Sequence, residues 1–307
     1  MSTLVEPVPA PIANALAQVP LVEDTYALRV EEEDLKFMRA QTGITDDIEL
    51  KRHILQVQAE AYRVFPYPCI RRFVFVRSTL PRIPGYDRLL KLGREHKGAI
   101  LLDIGCCFGN DVRHAAADGF PVKQIVASDL HAEYWELGHK LFRTTNETFP
   151  AKFIPGDVFD PAHIEVVPPT YCPATDATPD LPTSTSLNPL HGRVSAIHAS
   201  AFFHLFNEEK QLHIARALAG LLSAEPGSMI IGLHAIAMEK GITVEHFGEG
   251  GAVSDITVFY HSPESWVELW DGQVFKKGSV KVETSLTERD LAGRMIPFLH
   301  CIRTDPA

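Results

Sequence analysis

Three aspartates close apolar runs in this chain, and each stands where a carboxylate can meet a ligand. The first lies in Leu101-Leu102-Asp103-Ile104-Gly105-Cys106-Cys107-Phe108-Gly109-Asn110-Asp111. A buried strand that enters a turn containing Gly105 and Gly109 can turn tightly and approach a ligand with no Cβ in the way. The spacing is D-x-G-x-x-x-G. It matches neither the G-x-G-x-x-G of dinucleotide sites nor the G-x-x-x-x-G-K-[ST] of a P-loop. A wider turn with an acid at its strand end suits a cationic, phosphate-free ligand, and Asp103 can attract an amino-acid ammonium. The plainer alternative is a glycine-containing strand–helix turn with no ligand. Asp129 ends a second run, 24 residues after Gly105. In doubly wound nucleotide-binding folds an acid there accepts hydrogen bonds from two ribose hydroxyls; the alternative is a helix N-cap. Asp157, in Ile154-Pro155-Gly156-Asp157-Val158, follows a third run. It can accept from the exocyclic amine of an adenine, with Val158 adding a backbone amide and apolar contact, or it can serve as an ordinary turn acid.

Histidines form the second group. Seven of the fourteen fall between residues 191 and 261. His204 follows the fourth apolar run and His234 ends the fifth, so each is placed to act as a general base toward a hydroxyl acceptor. His261 precedes a helix start and can face the same pocket. A hydrogen-bonded structural role is the alternative for each. Arg71 and Arg72 can pair with a substrate carboxylate or with surface acids. Phe203 belongs to a set of aromatics that suit a bulky apolar ligand or simply a core. No H-x-x-x-H, H-E-x-x-H or C-x-x-C motif points to a metal. Cys106 and Cys107 read as small apolar packing and not as nucleophiles.

The elements that must position these residues alternate. GAILLDIG, QIVASDL, AKFIPGD, RVSAIHAS and GSMIIGLH are strand candidates, and helices fall between them at Asn110–Asp118, HAEYWELGHKLFRTTNET and NEEKQLHIARALAGLL. Continuous apolar runs mean strands buried on both faces. VFKKGSVKVETSL and MIPFLHCIRT, with no helix between them, predict an antiparallel edge hairpin. The fold class is therefore α/β: a doubly wound, mostly parallel seven-stranded sheet with an antiparallel edge hairpin and a helical N-terminal extension. Residues 1–92 read as a tail and helical cap, with residues 1–20 mobile, and 93–307 as the binding domain. In the cap, Asp46 and Asp47 open a helix with apolar Ile48, Leu50, Ile54, Leu55 and Val57. A proline-rich insert, 161–192, is either a lid beside the site or an inert loop. SPESWVELW predicts Ser262 as N-cap, Pro263 at the first helical position and Trp266, Leu269 and Trp270 on one face.

Composition narrows the class. The 307 residues are 45% hydrophobic and 22% charged, and 29 basic against 39 acidic residues give a net charge of −10. That balance opposes a nucleic-acid partner, which needs clustered Lys and Arg. No apolar run is long enough to span a bilayer and the N-terminus is not a signal peptide, so no membrane partner and a cytoplasmic setting are expected.

Taken in order, Leu101–Asn110, Val126–Leu130, Ile154–Asp160 and Val194–Phe206 resemble the class I S-adenosylmethionine-dependent methyltransferases over about residues 93–302. AYRVFPYPCIRRF, LLDIGCCFGNDVR, DVFD and HSPESWVELW are similar to the small-molecule O-methyltransferases of fungal polyketide and meroterpenoid pathways. The resemblance implies S-adenosyl-L-methionine as cofactor. It places Asp103, Gly105 and Gly109 by the methionine moiety, Asp129 and Leu130 by the ribose, and Asp157 and Val158 by the adenine. Ala199 and Ser200 would line the cofactor and acceptor pockets. His204 is the candidate base or acceptor orienter, and Arg72, Phe203, His234 and His261 are the candidate substrate contacts. A small, largely apolar acceptor is implied, with a carboxyl, giving a methyl ester, ahead of a phenol or other hydroxyl. A homodimer is compatible with this. The remaining alternatives are a non-catalytic methyltransferase-like binding subunit and an NAD(P)-dependent oxidoreductase. Against the latter stand the turn spacing and Asp111, which would repel a pyrophosphate at the helix start.

Overall fold

Local sequence sets most helix ends. The computed structural model describes residues 21, 30–175, 180–247, 254–288 and 295–303, so residues 1–20 lie outside it. Helix α1 (Glu32–Thr42) has three acids in its first turn and stops at Gly43, whose φ of 71° is left-handed. In α2 (Asp47–Val64) the Asp46 carboxylate accepts from the Glu49 amide at 2.8 Å. This helix buries Leu50, Ile54, Val57 and Ala61. Ile48 is 71% exposed instead, contrary to expectation. At about 100° per residue it lies roughly 200° around the helix from Leu50, on the opposite face. Short helix α3 (Pro68–Arg71), two single 3-10 turns and α4 (Tyr86–Glu95) complete the extension.

Five strands then run parallel: β1 (Ile100–Ile104), β2 (Ile125–Ser128), β3 (Lys152–Phe153), β4 (Val194–His198) and β5 (Met229–Leu233). Strands β8 (Val280–Glu288) and β9 (Met295–Arg303) form the expected hairpin, with β9 antiparallel to β5. The seven-stranded order is β3-β2-β1-β4-β5-β9-β8. Every residue of β1 and β2 is buried, as the continuous apolar runs require. Helices α5 (Asn110–Ala117), α6 (Ala132–Phe142) and α7 (Glu208–Leu221) connect the strands. The strand order reverses between β1 and β4, and that reversal opens a crevice at the carboxyl ends of the strands. A two-stranded hairpin, β6 (Gly241–Phe247) with β7 (Ser254–Tyr260), precedes α8 (Pro263–Trp270). This hairpin is an addition to the sequence expectation. Helix α8 carries the expected Ser262 cap, completed by Ser265 into a capping box, and it buries Trp266, Leu269 and Trp270.

The described N-terminal helices share their core with the body of the fold. Met38, Leu50, Ile54, Ile70 and Phe75 share one apolar cluster with Phe108 and with Tyr134, Leu141 and Phe142 of α6. Polar ties reinforce this: Tyr134 Oη donates to the Phe65 carbonyl at 2.8 Å, and the Thr79 and Leu80 amides donate to Asp111 at 2.6 and 2.7 Å. Within 161–192 the described residues hold only short 3-10 turns, yet Leu187 and Leu190 are fully buried against the body.

Candidate active site

The glycine turn after β1 is shaped by protein contacts. Gly105 (φ 71°) faces the Phe202 ring, 2.6 Å from where a Cβ would stand; Gly109 (φ 69°) faces Trp135 at the same distance. A side chain at either position would need both an unfavourable φ and displacement of an aromatic ring. Between them Cys107, also left-handed at φ 50°, points its amide at Asp129 Oδ2, 2.9 Å away. The other Asp129 oxygen accepts from the His131 amide at 3.0 Å. Asp129 therefore ties the end of β2 to the glycine turn. It is not the side-chain cap of α6, whose N-cap position is His131. Burial raises the Asp129 pKa, and the two amides work against that rise. The Cys106 and Cys107 thiols are pushed well up by burial, so both stay protonated at neutral pH and neither is a ready nucleophile.

Asp157 accepts from the Phe159 amide at 2.9 Å through one oxygen. Its neighbour Val158 is buried, and both follow β3 on the same rim as Asp129 and Leu130. The Gly156 amide donates to the Asp129 carbonyl at 3.0 Å, which joins the two positions. Asp129, Leu130 and Asp157 all remain partly exposed. A carboxylate offers about four acceptor positions, so both acids keep capacity for hydroxyl or amine donors. That is the donor demand of a ribose and an adenine, and these residues fit the nucleoside half of S-adenosylmethionine.

Asp103 is placed differently from the expectation. It is buried, and its Oδ1 lies 2.8 Å from Nδ1 of His198, its register partner on β4. Burial works against a charge on His198, but the adjacent Asp103 carboxylate outweighs it, with a smaller contribution from Asp111, and the imidazole pKa is raised. On its far side His198 Nε2 lies 2.6 Å from Ser200 Oγ, which also accepts from the Leu233 amide at 3.0 Å. With Oδ1 taken by His198, Asp103 reaches the site through His198 and Ser200. Sequence reading passed over His198. The signal was there: a histidine inside an apolar run buried on both faces needs a partner.

The remaining candidates converge. Ala199, Phe203, Ile230, Ile231, Gly232, His234, Trp266 and Trp270 line a narrow slot with room for about one water molecule. His234 stacks on Trp266 with ring centroids 4.9 Å apart, and Phe203 meets Trp266 edge-on at 5.1 Å. His204 and His261 flank the group, 6.1 Å from His234 and 5.4 Å from Trp266 respectively. Both His234 nitrogens are buried with no hydrogen-bond partner among the described residues, as is Nε2 of His261, whose Nδ1 pairs with Ser265 Oγ at 2.9 Å. Burial pushes the His234 pKa well down and that of His261 down to about 4. Both rings are therefore neutral at neutral pH. Each unmet buried nitrogen costs about 1–3 kcal/mol, a cost that a ligand group hydrogen-bonded there would remove.

Arg72 lies elsewhere. It follows α3 beside Cys69, whose thiol also feels Asp129, on the side of the crevice where Phe65 and Tyr67 pack against His131. Among the described residues, no group of three His, Cys, Asp or Glu side chains is arranged to hold a metal ion. No described helix is long and apolar enough to cross a membrane.

Comparison with known proteins gives consistent findings. Residues 24–76 match the family described as meroterpenoid methyltransferase N-terminal domain. The chain is 30% identical over 257 residues to the asnovolin E/chermesin D methyltransferase nvfJ of Aspergillus novofumigatus, covering 81% of this chain and 82% of that protein. It is 29% identical over 237 residues to the methyltransferase ausD of Penicillium brasilianum, covering 77% and 74%. It is 30% identical over 235 residues to the O-methyltransferase phiE of a fungal species, covering 76% and 68%. Among solved structures it is similar to the Burkholderia thailandensis 1,6-didemethyltoxoflavin-N1-methyltransferase with bound S-adenosylhomocysteine. That likeness has a TM-score of 0.48 at 12% identity and covers 85% of this chain and 92% of that one.

Proposed function

We propose, from the premise that this chain belongs to the fungal meroterpenoid methyltransferases, that it methylates a carboxyl group on a small, largely apolar polyketide or meroterpenoid intermediate. The observation that carries this reading is the neutral, aromatic-walled slot around His234. A phenol needs a base to become a good nucleophile, and imidazoles whose pKa values burial has driven far down are poor bases for it. A carboxylate is already nucleophilic at neutral pH and needs orientation only. A small polar group of the acceptor, no larger than the water the slot admits, would hydrogen-bond the unmet nitrogens of His234 and His261, and the apolar frame would lie outside the slot.

S-adenosylmethionine, when bound, supplies an electrophilic methyl on a good sulfonium leaving group. Asp129 and Leu130 would hold its ribose side, Asp157 and Val158 its adenine side, and Gly105, Gly109 and Ala199 would border its methionine side. Residues 1–92 would act as the cap that closes the crevice, since Phe65, Tyr67 and Phe75 already pack over the residues that follow β1 and β2. Residues 93–307 would be the cofactor-binding body.

The test is product analysis with a panel of aromatic and terpenoid acids, each paired with a hydroxyl compound of the same frame. Methyl esters that hydrolyse in mild base are expected; base-stable methyl ethers alone would overturn the carboxyl assignment. Hydroxyl transfer is the second reading, favoured by the place of His204 beside His234. A protein that bound the cofactor product yet methylated nothing in the panel would favour a binding subunit.

A further inference from the structure

We propose that Ser200 is a dedicated hydrogen-bond donor in the acceptor site, with its hydroxyl proton directed outward because His198 and the Leu233 amide occupy both of its lone pairs. The inference rests on the methyltransferase reading and adds a specificity-determining residue to it. A serine hydroxyl has one donor and two acceptor positions. The Leu233 amide can only donate, and it fills one acceptor position at 3.0 Å. His198 Nε2, at 2.6 Å, fills the second if it carries a proton.

The surroundings of His198 favour that proton. Asp103 is buried, and His198 is its only charged partner among the described residues. A buried carboxylate without a cation is strongly unfavourable. Asp111, from the first turn of α5, adds a second negative charge toward His198, its own carboxylate being held by the Thr79 and Leu80 amides. Among the described residues, the neutral Leu233 amide is what reaches this chain of contacts from β5, through Ser200. With Nδ1–H donated to Asp103, a charged His198 donates Nε2–H to Ser200, and the serine proton has no further acceptor among the described residues.

Ser200 itself stands at the rim of the crevice. Ser200 is partly exposed at the carboxyl end of β4, next to Ala199 in the slot wall. Ala201, which follows it, has a left-handed conformation at φ 50°, and its amide donates a hydrogen bond to the Leu233 carbonyl at 2.8 Å. A donor with no free lone pair favours a bare oxygen such as a carboxylate over a neutral hydroxyl. If His198 lost its proton, Nε2 would become an acceptor, the serine proton would turn inward and the preference would vanish.

The experiment uses the full chain saturated with S-adenosylhomocysteine. In protein labelled with 15N-histidine, long-range 1H–15N correlation should show protons on both His198 nitrogens at neutral pH, the signal being assigned by its loss in His198→Asn. 2-Naphthoate should bind at least about tenfold more tightly than 2-naphthol. Ser200→Ala should weaken naphthoate and not naphthol, by about 10- to 100-fold as expected for a hydrogen bond to a charged group. Ser200→Thr, which keeps a hydroxyl, should retain the preference. A neutral His198, no preference for naphthoate in the wild type, equal loss for both probes, or loss of S-adenosylhomocysteine affinity in its place would each overturn the proposal. If these results hold while the acceptor panel yields only ethers, the carboxyl assignment fails and the donor role of Ser200 stands.

Discussion

Cutting the Asp103–His198 pair from its two sides should cost unequal amounts. The side chains are 4% and 2% exposed and joined at 2.8 Å, so solvent screens neither charge. Replacing His198 with Gln leaves the Asp103 carboxylate buried without a cation, the situation that costs about 3–5 kcal/mol. Replacing Asp103 with Asn is gentler. His198 can release its second proton, become neutral and still donate Nδ1–H to the Asn oxygen. Only the difference between a charged and a neutral hydrogen bond is lost, about 1–2 kcal/mol. Urea unfolding at several pH values measures both. The raised His198 pKa means that its contribution is fully present below the ordinary imidazole value near 6.5 and is lost as pH rises through the higher folded-state value. The wild type should lose stability over that alkaline interval, and both variants should lose less of it. If Asp103→Asn costs as much as His198→Gln, or the three pH profiles run parallel, the pair is not an ion pair and the argument fails.

Three further outcomes follow from the same geometry. His234→Phe replaces an imidazole with two unmet nitrogens by an apolar ring of similar shape, so stability should stay level or rise by about 1–2 kcal/mol while product formation falls; a clear drop in melting temperature would show that His234 is structural. With its pKa near 4, His261 should make the wild type lose about 3 kcal/mol as pH falls from 6.5 to 4, because the unfolded chain binds the proton first; His261→Asn should remove that acid sensitivity in chemical denaturation, and an unchanged acid limb would refute it. Asp129→Ala should weaken S-adenosylhomocysteine at least about tenfold in calorimetry by removing a charged acceptor, and equal affinity would refute the ribose assignment.

Much of the frame was legible. Strand runs such as ILLDI and IVAS are written as contiguous apolar residues because both faces are covered. Caps at Asp46 and Ser262 and the stop at Gly43 are local hydrogen-bond and dihedral effects that three or four residues specify. The hairpin β6–β7 was missed because β6 holds no contiguous apolar run and its Ile242 and Val244 stay exposed. Strand β3 shrank to two residues, although the Ile154 and Gly156 amides continue its bonding to the residues of and after β2.

The acids at the strand ends, the glycine turn and the order of elements were determined by sequence alone, since each depends on neighbours within a few positions. Which groups those acids meet was decided by the tertiary structure. Asp103 and His198 are 95 residues apart and face each other only because β1 and β4 pair in one particular register. Side-chain alternation along a strand has a period of two and carries no record of its neighbour's register. The slot likewise joins the residues of and after β4 and β5 to α8, and it was packing that left the nitrogens of His234 without partners among the described residues and so converted a histidine at a strand end into a candidate ligand contact.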